Sequence, residues 1–257
     1  MSTPPAAWPY TLWIAHRGAG KLAPENTLAA LREGASHGYR MFECDVKLSA
    51  DGEPFLLHDA TLERTTNGTG LAGAQPWSQL VRLDAGGWHS RRYAGEPMPT
   101  LEAIARYVLR NGFHLNVEIK PTPGEESRTG EAVAHACARL WRDGGHAPAA
   151  PPLLTSFKPQ ALHAARAAQP QLPRGLLLDH WWAGWREEAQ ALQCTAVVTH
   201  WSMLDAASIA ELHGLGWRAL AYTVNDPAEA DRLLRAGIDG LITDAVDRFS
   251  PGDGLHD

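Results

Sequence analysis

Nowhere does the sequence hold about 18 consecutive apolar residues, so no segment reads as a membrane-spanning helix. Its opening, MSTPPAAWPYTLWIAHRG, lacks a basic stretch followed by an apolar core, and the expected setting is therefore the cytoplasm. Cysteine is scarce: Cys44, Cys137 and Cys194 are odd in number and form no CxxC pair, which excludes a disulfide framework or a zinc site and leaves buried thiols. Charge of either sign never forms a block. With 29 Asp plus Glu against 23 Lys plus Arg, the chain has no basic stripe for nucleic acid or an anionic membrane surface, and a small-molecule partner is the remaining expectation. No short-period repeat is present, which excludes a solenoid.

What is there suits one large core. A length of 257 residues matches a single α/β barrel domain spanning 1–257, since such barrels run to roughly 250 residues. Apolar runs rich in Val, Ile and Leu alternate with Ala-rich amphipathic stretches, the pattern of a parallel sheet wrapped by helices. Eight strands are expected: Leu12 to Ala15, Met41 to Leu48, Phe113 to Ile119, Leu153 to Ser156, Gly175 to Leu178, Ala196 to Thr199, Arg218 to Val224 and Gly240 to Thr243. Pro24 with Asn26, Pro159, and Asp226 followed by Pro227 read as helix starts, while Gly38, Gly216 and Gly237 read as helix ends. The fold class is a (β/α)8 TIM barrel. Residues 51–99, rich in Gly, Thr, Asp and Pro, break the rhythm as an insertion after the second strand, over the face where barrel active sites lie. Gly144 to Pro152 reads as a surface connection, and Trp181, Trp182 and Trp185 as core or rim packing.

Ionisable residues gather at the ends of the first three strands expected. His16 and Arg17 end the first. Glu43 and Asp45 stand at i and i+2 on the second, so alternation turns both to one side and Cys44 to the other; Glu118 and Lys120 repeat the spacing on the third. Three converging carboxylates repel one another, and a divalent cation is their natural partner; oxygen ligation favours Mg²⁺ or Ca²⁺. The plainer alternative pairs each acid at a strand end with Lys47, Lys120 or Arg40. His58, directly after the apolar run Phe55 to Leu57, stands with His16 as an acid/base pair, the two roles unassigned. Arg17 suits bidentate contact with phosphate oxygens and Lys120 adds a point charge. His37, His135, His163 and His213 fall in helical stretches and are read as surface or packing residues.

These residues lie in HRGAGKLAPENT (16–27), ECDVKLSADG (43–52), HDATLERTTNGTG (58–70) and NVEIKP (116–121), followed by TSF (155–157), AYTVND (221–226) and GLITD (240–244). In these motifs, over nearly the whole chain, the sequence resembles the glycerophosphodiester phosphodiesterase family, bacterial cytoplasmic type. The resemblance implies a metal-dependent hydrolysis of glycerophosphodiesters to sn-glycerol 3-phosphate and an alcohol. It implies Glu43, Asp45 and Glu118 as metal ligands, His16 and His58 as acid and base, and Arg17, Lys120, Tyr222 and Asn225 as phosphate or substrate contacts. Tyr222 stands where the family often has Trp, and the Trp181 to Trp185 cluster is a candidate for shaping the alcohol side. A related phospholipase-type phosphodiesterase lacks support, there being no amphipathic basic helix. A catalytically silent phospho-ligand-binding barrel fits poorly with the presence of both His16 and His58. An amidohydrolase would need an HxH pair at the first strand.

Overall fold

A computed structural model describes residues 8–144, 150–249 and 251; the opening residues 1–7 and most of the connection expected at 144–152 lie outside them. The chain runs β1 (Trp13–Ala15), α1 (Leu28–Ser36), β2 (Met41–Leu48), β3 (Pro54–Leu56), α2 (Trp77–Leu80), α3 (Leu101–Arg110), β4 (His114–Ile119), α4 (Glu126–Asp143) and β5 (Leu153–Ser156). It continues α5 (Pro159–Ala168), β6 (Arg174–Leu178), α6 (Trp185–Ala191), β7 (Ala196–His200), α7 (Ala206–Gly214), β8 (Arg218–Tyr222), α8 (Pro227–Arg235) and β9 (Gly240–Thr243). Eight parallel strands follow one another side by side, and β1 pairs with both β9 and β2 to close the TIM barrel. Each of the eight strands expected from the apolar runs is present within a residue or two. The extra strand, β3, lies antiparallel on β2 and was not expected.

Strand alternation divides the core in two. Outward residues such as Phe42, Cys44, Val46, Val117, Leu176 and Leu241 meet the helices, while Ile14, Met41, Leu153, Leu177, Val198, Leu220 and Ile242 fill the barrel. The barrel filling is apolar toward the strand starts. On β2 the inward series continues from Met41 to Glu43, Asp45 and Lys47, so the polar groups are confined to the C-terminal mouth.

The segment 51–99 is an insertion with a small core of its own, built on Phe55, Leu57, Leu62, Leu80 and Met98. That packing fixes the loop carrying His58 over the mouth. Helix punctuation is as read at Pro159, at Asp226 with Pro227, and at Gly38, Gly216 and Gly237, whose φ values are 91°, 85° and 86°. Asn26 is the correction. Thr27 caps α1 by accepting the Ala30 N–H at 3.2 Å, and Asn26, at φ 58°, turns into the barrel mouth instead. No helix among the described residues is long and apolar enough to cross a membrane.

Candidate active site

Glu43 and Asp45 on β2 lie beside Asn116 and Glu118 on β4, in parallel register. One carboxylate oxygen from each of Glu43, Asp45 and Glu118 lies within 4.8 Å of the other two, and all three residues are largely shielded from solvent. Their charges are unevenly matched. Lys120 Nζ stands 2.9 Å from Glu118 Oε1 and 3.6 Å from Asp45 Oδ1, and Arg17 Nε is 3.3 Å from Asp45 Oδ2. Asn26 completes the hold on Asp45: its amide donates to Oδ2 at 2.8 Å and its carbonyl accepts the Asp45 N–H at 3.0 Å. Burial works against ionisation of Asp45, yet Lys120, Arg17 and this amide hold its carboxyl at about 2.

Glu43 is less well compensated, His16 and Arg17 offsetting only part of its burial. Its Oε2 accepts the Arg17 backbone N–H at 3.0 Å, but Oε1 is buried without a hydrogen-bond partner. Burial first, then the charge of Asp45, push its carboxyl up to about 8, and the same two causes raise Glu118 to about 6. A carboxylate oxygen left bare among oxygen donors fits a hard divalent cation, which would supply the missing charge.

His16 and His58 flank this triad, each oriented by an acid. His16 Nδ1 donates to Asp244 Oδ1 at 2.6 Å, leaving Nε2 facing Glu43 Oε2 at 3.8 Å. Burial alone would lower the His16 pKa, but the bond to Asp244 and the charge of Glu43 carry it upward. His58 Nδ1 donates to Asp59 Oδ1 at 2.7 Å, and its Nε2 accepts from Lys120 Nζ at 2.8 Å. Burial and the charges of Arg17 and Lys120 lower the His58 pKa despite the opposing pull of Asp45. The two imidazoles therefore share one tautomer and are shifted in opposite directions.

A further chain of charges ties the site together. Arg64 donates to Asp59 Oδ2 at 2.5 Å and to both oxygens of Glu25 at 2.8 Å, and Glu25 accepts from Arg17 Nη1 at 2.9 Å. Arg17 itself is left-handed, with φ 50°, a conformation that non-glycine residues seldom adopt. Gly20 helps to hold it there, because a Cβ at this position would collide with the Asp244 backbone. The 16–20 loop is thereby pressed onto the end of β9.

The structure thus brings together Glu43, Asp45, Glu118, His16, His58, Arg17 and Lys120. Tyr222 lines the same cavity, of about 200 Å³, with its hydroxyl donating to the Leu178 carbonyl at 3.0 Å. Asn225 does not line it. Its amide oxygen accepts from the Asp244 N–H at 2.8 Å and the Thr243 hydroxyl at 3.1 Å, and its NH₂ donates to Asp244 Oδ2 at 3.2 Å, so it orients Asp244 and does not face the cavity. The tryptophan cluster lines neither cavity: Trp185 is buried against Trp217 and Trp181 lies on it, while Phe157 and Tyr222 supply aromatic wall at the mouth. Glu25, Asp59, Arg64 and Asp244 went unnoticed in the sequence, although each lies inside or beside a quoted motif. His135, His163 and His213 sit on helices and His37 just past one, each within 4 Å of a carboxylate outside the site.

Comparison with known proteins adds an independent finding. A family model described as the glycerophosphoryl diester phosphodiesterase family matches residues 16–248. A glycerophosphodiester phosphodiesterase of Caldanaerobacter subterraneus subsp. tengcongensis is 30% identical over 245 residues, covering 91% of this chain and 94% of that protein. The solved structure of an Oleispira antarctica phosphodiesterase in complex with the product sn-glycerol-3-phosphate is similar with a TM-score of 0.88 and 34% identity, over 95% of this chain and 98% of that one. An Agrobacterium tumefaciens glycerophosphodiester phosphodiesterase structure follows at TM-score 0.76 and 27% identity, over 93% and 99% of the two chains.

Proposed function

The chain belongs to the glycerophosphoryl diester phosphodiesterase family, and from that premise we propose that it hydrolyses glycerophosphodiesters to sn-glycerol 3-phosphate and an alcohol. The observation that carries the reading is the buried, unpartnered Oε1 of Glu43, grouped with Asp45 and Glu118 between two acid-oriented imidazoles. A catalytically silent phosphate-binding barrel would have no use for that pair.

Glu43, Asp45 and Glu118 would hold the cation, Mg²⁺ or Ca²⁺ by their all-oxygen chemistry. When bound, such an ion supplies positive charge that polarises the phosphodiester and stabilises the charge developing on its oxygens. Arg17 and Lys120 face the same cavity and would neutralise the remaining phosphate oxygens, Arg17 from a guanidinium already fixed by Glu25 and Asp45. His16 and His58 move the protons through their Nε2 atoms, one removing a proton from the attacking group, a water or the glycerol 2-hydroxyl, and the other delivering one to the departing alkoxide; attack by the 2-hydroxyl gives a cyclic phosphate that a water then opens to sn-glycerol 3-phosphate. Asp244 and Asp59 keep each Nδ1 protonated, so that Nε2 carries the lone pair for this work, that of His58 being shared with the Lys120 ammonium, whose hydrogen bond must give way before it takes up a proton. Tyr222 and Phe157, in edge contact at 5.7 Å between ring centres, would form the apolar side against which the glycerol carbons rest. The substrate is a free small molecule. Three buried, unpaired cysteines fit a reducing, cytoplasmic setting.

The test is direct. Purified protein stripped with a chelator is supplied with a panel of glycerophosphodiesters, and sn-glycerol 3-phosphate release is followed before and after adding Mg²⁺ or Ca²⁺. Metal-dependent release supports the reading; no release under any metal condition refutes it.

A further inference from the structure

Two cavities open at the barrel mouth and share a wall of His58, Glu118, Lys120 and Phe157. The smaller, about 200 Å³, holds His16, Arg17 and Glu43. The wider, about 490 Å³, continues past His58 to Thr61, Pro121, Pro123 and Lys158. A phosphodiester has two arms, and a phosphate held at the shared wall sends one into each cavity. The glycerol arm is common to every substrate of the proposed reaction and suits the smaller space. The alcohol arm varies, and the wider, more open space receives it.

The charge of the wider cavity is one-sided. Asp59 is paired with Arg64 and His58, Glu118 is paired with Lys120, and the buried Lys47 donates to the Lys120 carbonyl at 3.1 Å. Lys158, exposed on the rim, forms no ion pair within 4 Å among the described residues; behind backbone hydrogen bonds it adds weakly to the lowering of the Glu126 carboxyl, which lies outside the cavity lining. It also stands at the N-cap of the ten-residue α5, whose dipole adds positive potential at the same point. Among the described residues, Phe157 is the only phenyl, phenol or indole ring lining this cavity, and Lys120 Nζ already lies 5.9 Å from its centre. A quaternary ammonium group is bound by several free ring faces, which this wall does not offer.

We propose that the wider cavity is the subsite for the alcohol arm and that it selects alcohols bearing a negatively charged group over neutral polyols and quaternary amines, with Lys158 as the specificity-determining residue. The inference rests on the phosphodiesterase reading above. The experiment uses the full chain with its activating metal and compares initial rates on bis(glycerophospho)glycerol, glycerophosphoglycerol and glycerophosphocholine, whose departing alcohols are anionic, neutral and cationic. The kcat/KM values are expected to fall in that order. Lys158→Glu should lower the anionic-to-cationic ratio by roughly tenfold, mainly through KM, because it replaces an attraction by a repulsion at a solvent-exposed site. Lys158→Ala should fall between. An unchanged ratio in Lys158→Glu, or a preference of the unaltered protein for glycerophosphocholine, overturns the proposal. Hydrolysis of none of the three substrates sinks the phosphodiesterase reading itself, and the subsite with it.

Discussion

His16 and Asp244 are 228 residues apart in sequence, yet the imidazole Nδ1 and a carboxylate oxygen meet at 2.6 Å. Closure of the barrel makes the contact, since β1 and β9 are hydrogen-bonded neighbours and the two residues stand just beyond their C-terminal ends. Asp244 is held in turn by both polar atoms of the Asn225 side chain. The arrangement fixes which nitrogen of His16 faces the triad.

Replacing Asp244 by Asn should therefore leave the barrel folded while turning an NH₂ donor toward His16 Nδ1, since the amide oxygen is needed to accept from Asn225, so that the other tautomer is favoured. We expect kcat to fall by roughly 10²-fold or more with little change in KM, as for other imidazoles deprived of an orienting carboxylate. A near-normal kcat in a folded Asp244→Asn protein would show that His16 needs no such support.

Glu43→Gln separates function from stability. The metal-free protein already tends to keep this carboxyl protonated near neutral pH, its value lying at about 8. The neutral amide should thus leave thermal stability in chelator unchanged or slightly higher. Turnover should drop roughly 10²-fold or more, together with the stabilisation that added metal gives the unaltered protein. Retained activity in this variant would remove Glu43 from the site.

Metal binding should be coupled to protons. With Glu43 at about 8 and Glu118 at about 6, the metal-free site holds protons between pH 6 and 8 that a divalent cation must displace. Affinity for Mg²⁺ or Ca²⁺ is expected to rise across that window, with proton release visible by titration calorimetry in buffers of different ionisation enthalpy. The sign for stability follows from the same shift. Glu43 is raised above the 4.5 of an unfolded chain, so the metal-free fold binds more protons than the unfolded state and its contribution weakens as pH climbs toward 8. His16, also raised, acts in the same direction, while His58, lowered by burial, opposes it. A pH-independent metal affinity from 6 to 8 would count against the triad as the binding site.

Arg64 touches neither cavity, yet it bridges the acid behind His58 and the acid behind Arg17. Arg64→Ala should lower kcat/KM roughly tenfold, and Arg64→Lys should recover little, because one ammonium cannot reproduce a forked contact to two carboxylates. Full rescue by Lys would reduce the residue to a simple counter-charge.

Gly20→Ala should disturb the site from the backbone. A methyl group there meets the Asp244 main chain at a position whose φ is 56°, so we expect a loss of about 1–3 kcal/mol of stability and a larger loss of activity as His16 and Asp244 separate. Thermal melts alongside kcat measurements check both, and an unaffected melt would mean that the loop relaxes freely.

The sequence alone determined the barrel, because strand and helix periodicity are local: apolar runs of four to eight residues mark every one of the parallel strands, and amphipathic stretches lie between most of them. It also determined that Glu43, Asp45 and Glu118 share a face, since a strand alternates with a period of two whatever lies around it. What only the tertiary structure decided is the partners. Asn26 looked like a helix signal because Asn caps helices, and only its left-handed backbone turns the amide onto Asp45. Asn225 lies in a motif expected at the substrate, yet barrel closure brings Asp244 within its reach first. Glu25, Asp59 and Arg64 gained their roles when the insertion folded over the mouth on its own small core. Such contacts depend on where separate strand ends and loops meet in space, and no local periodicity carries that information.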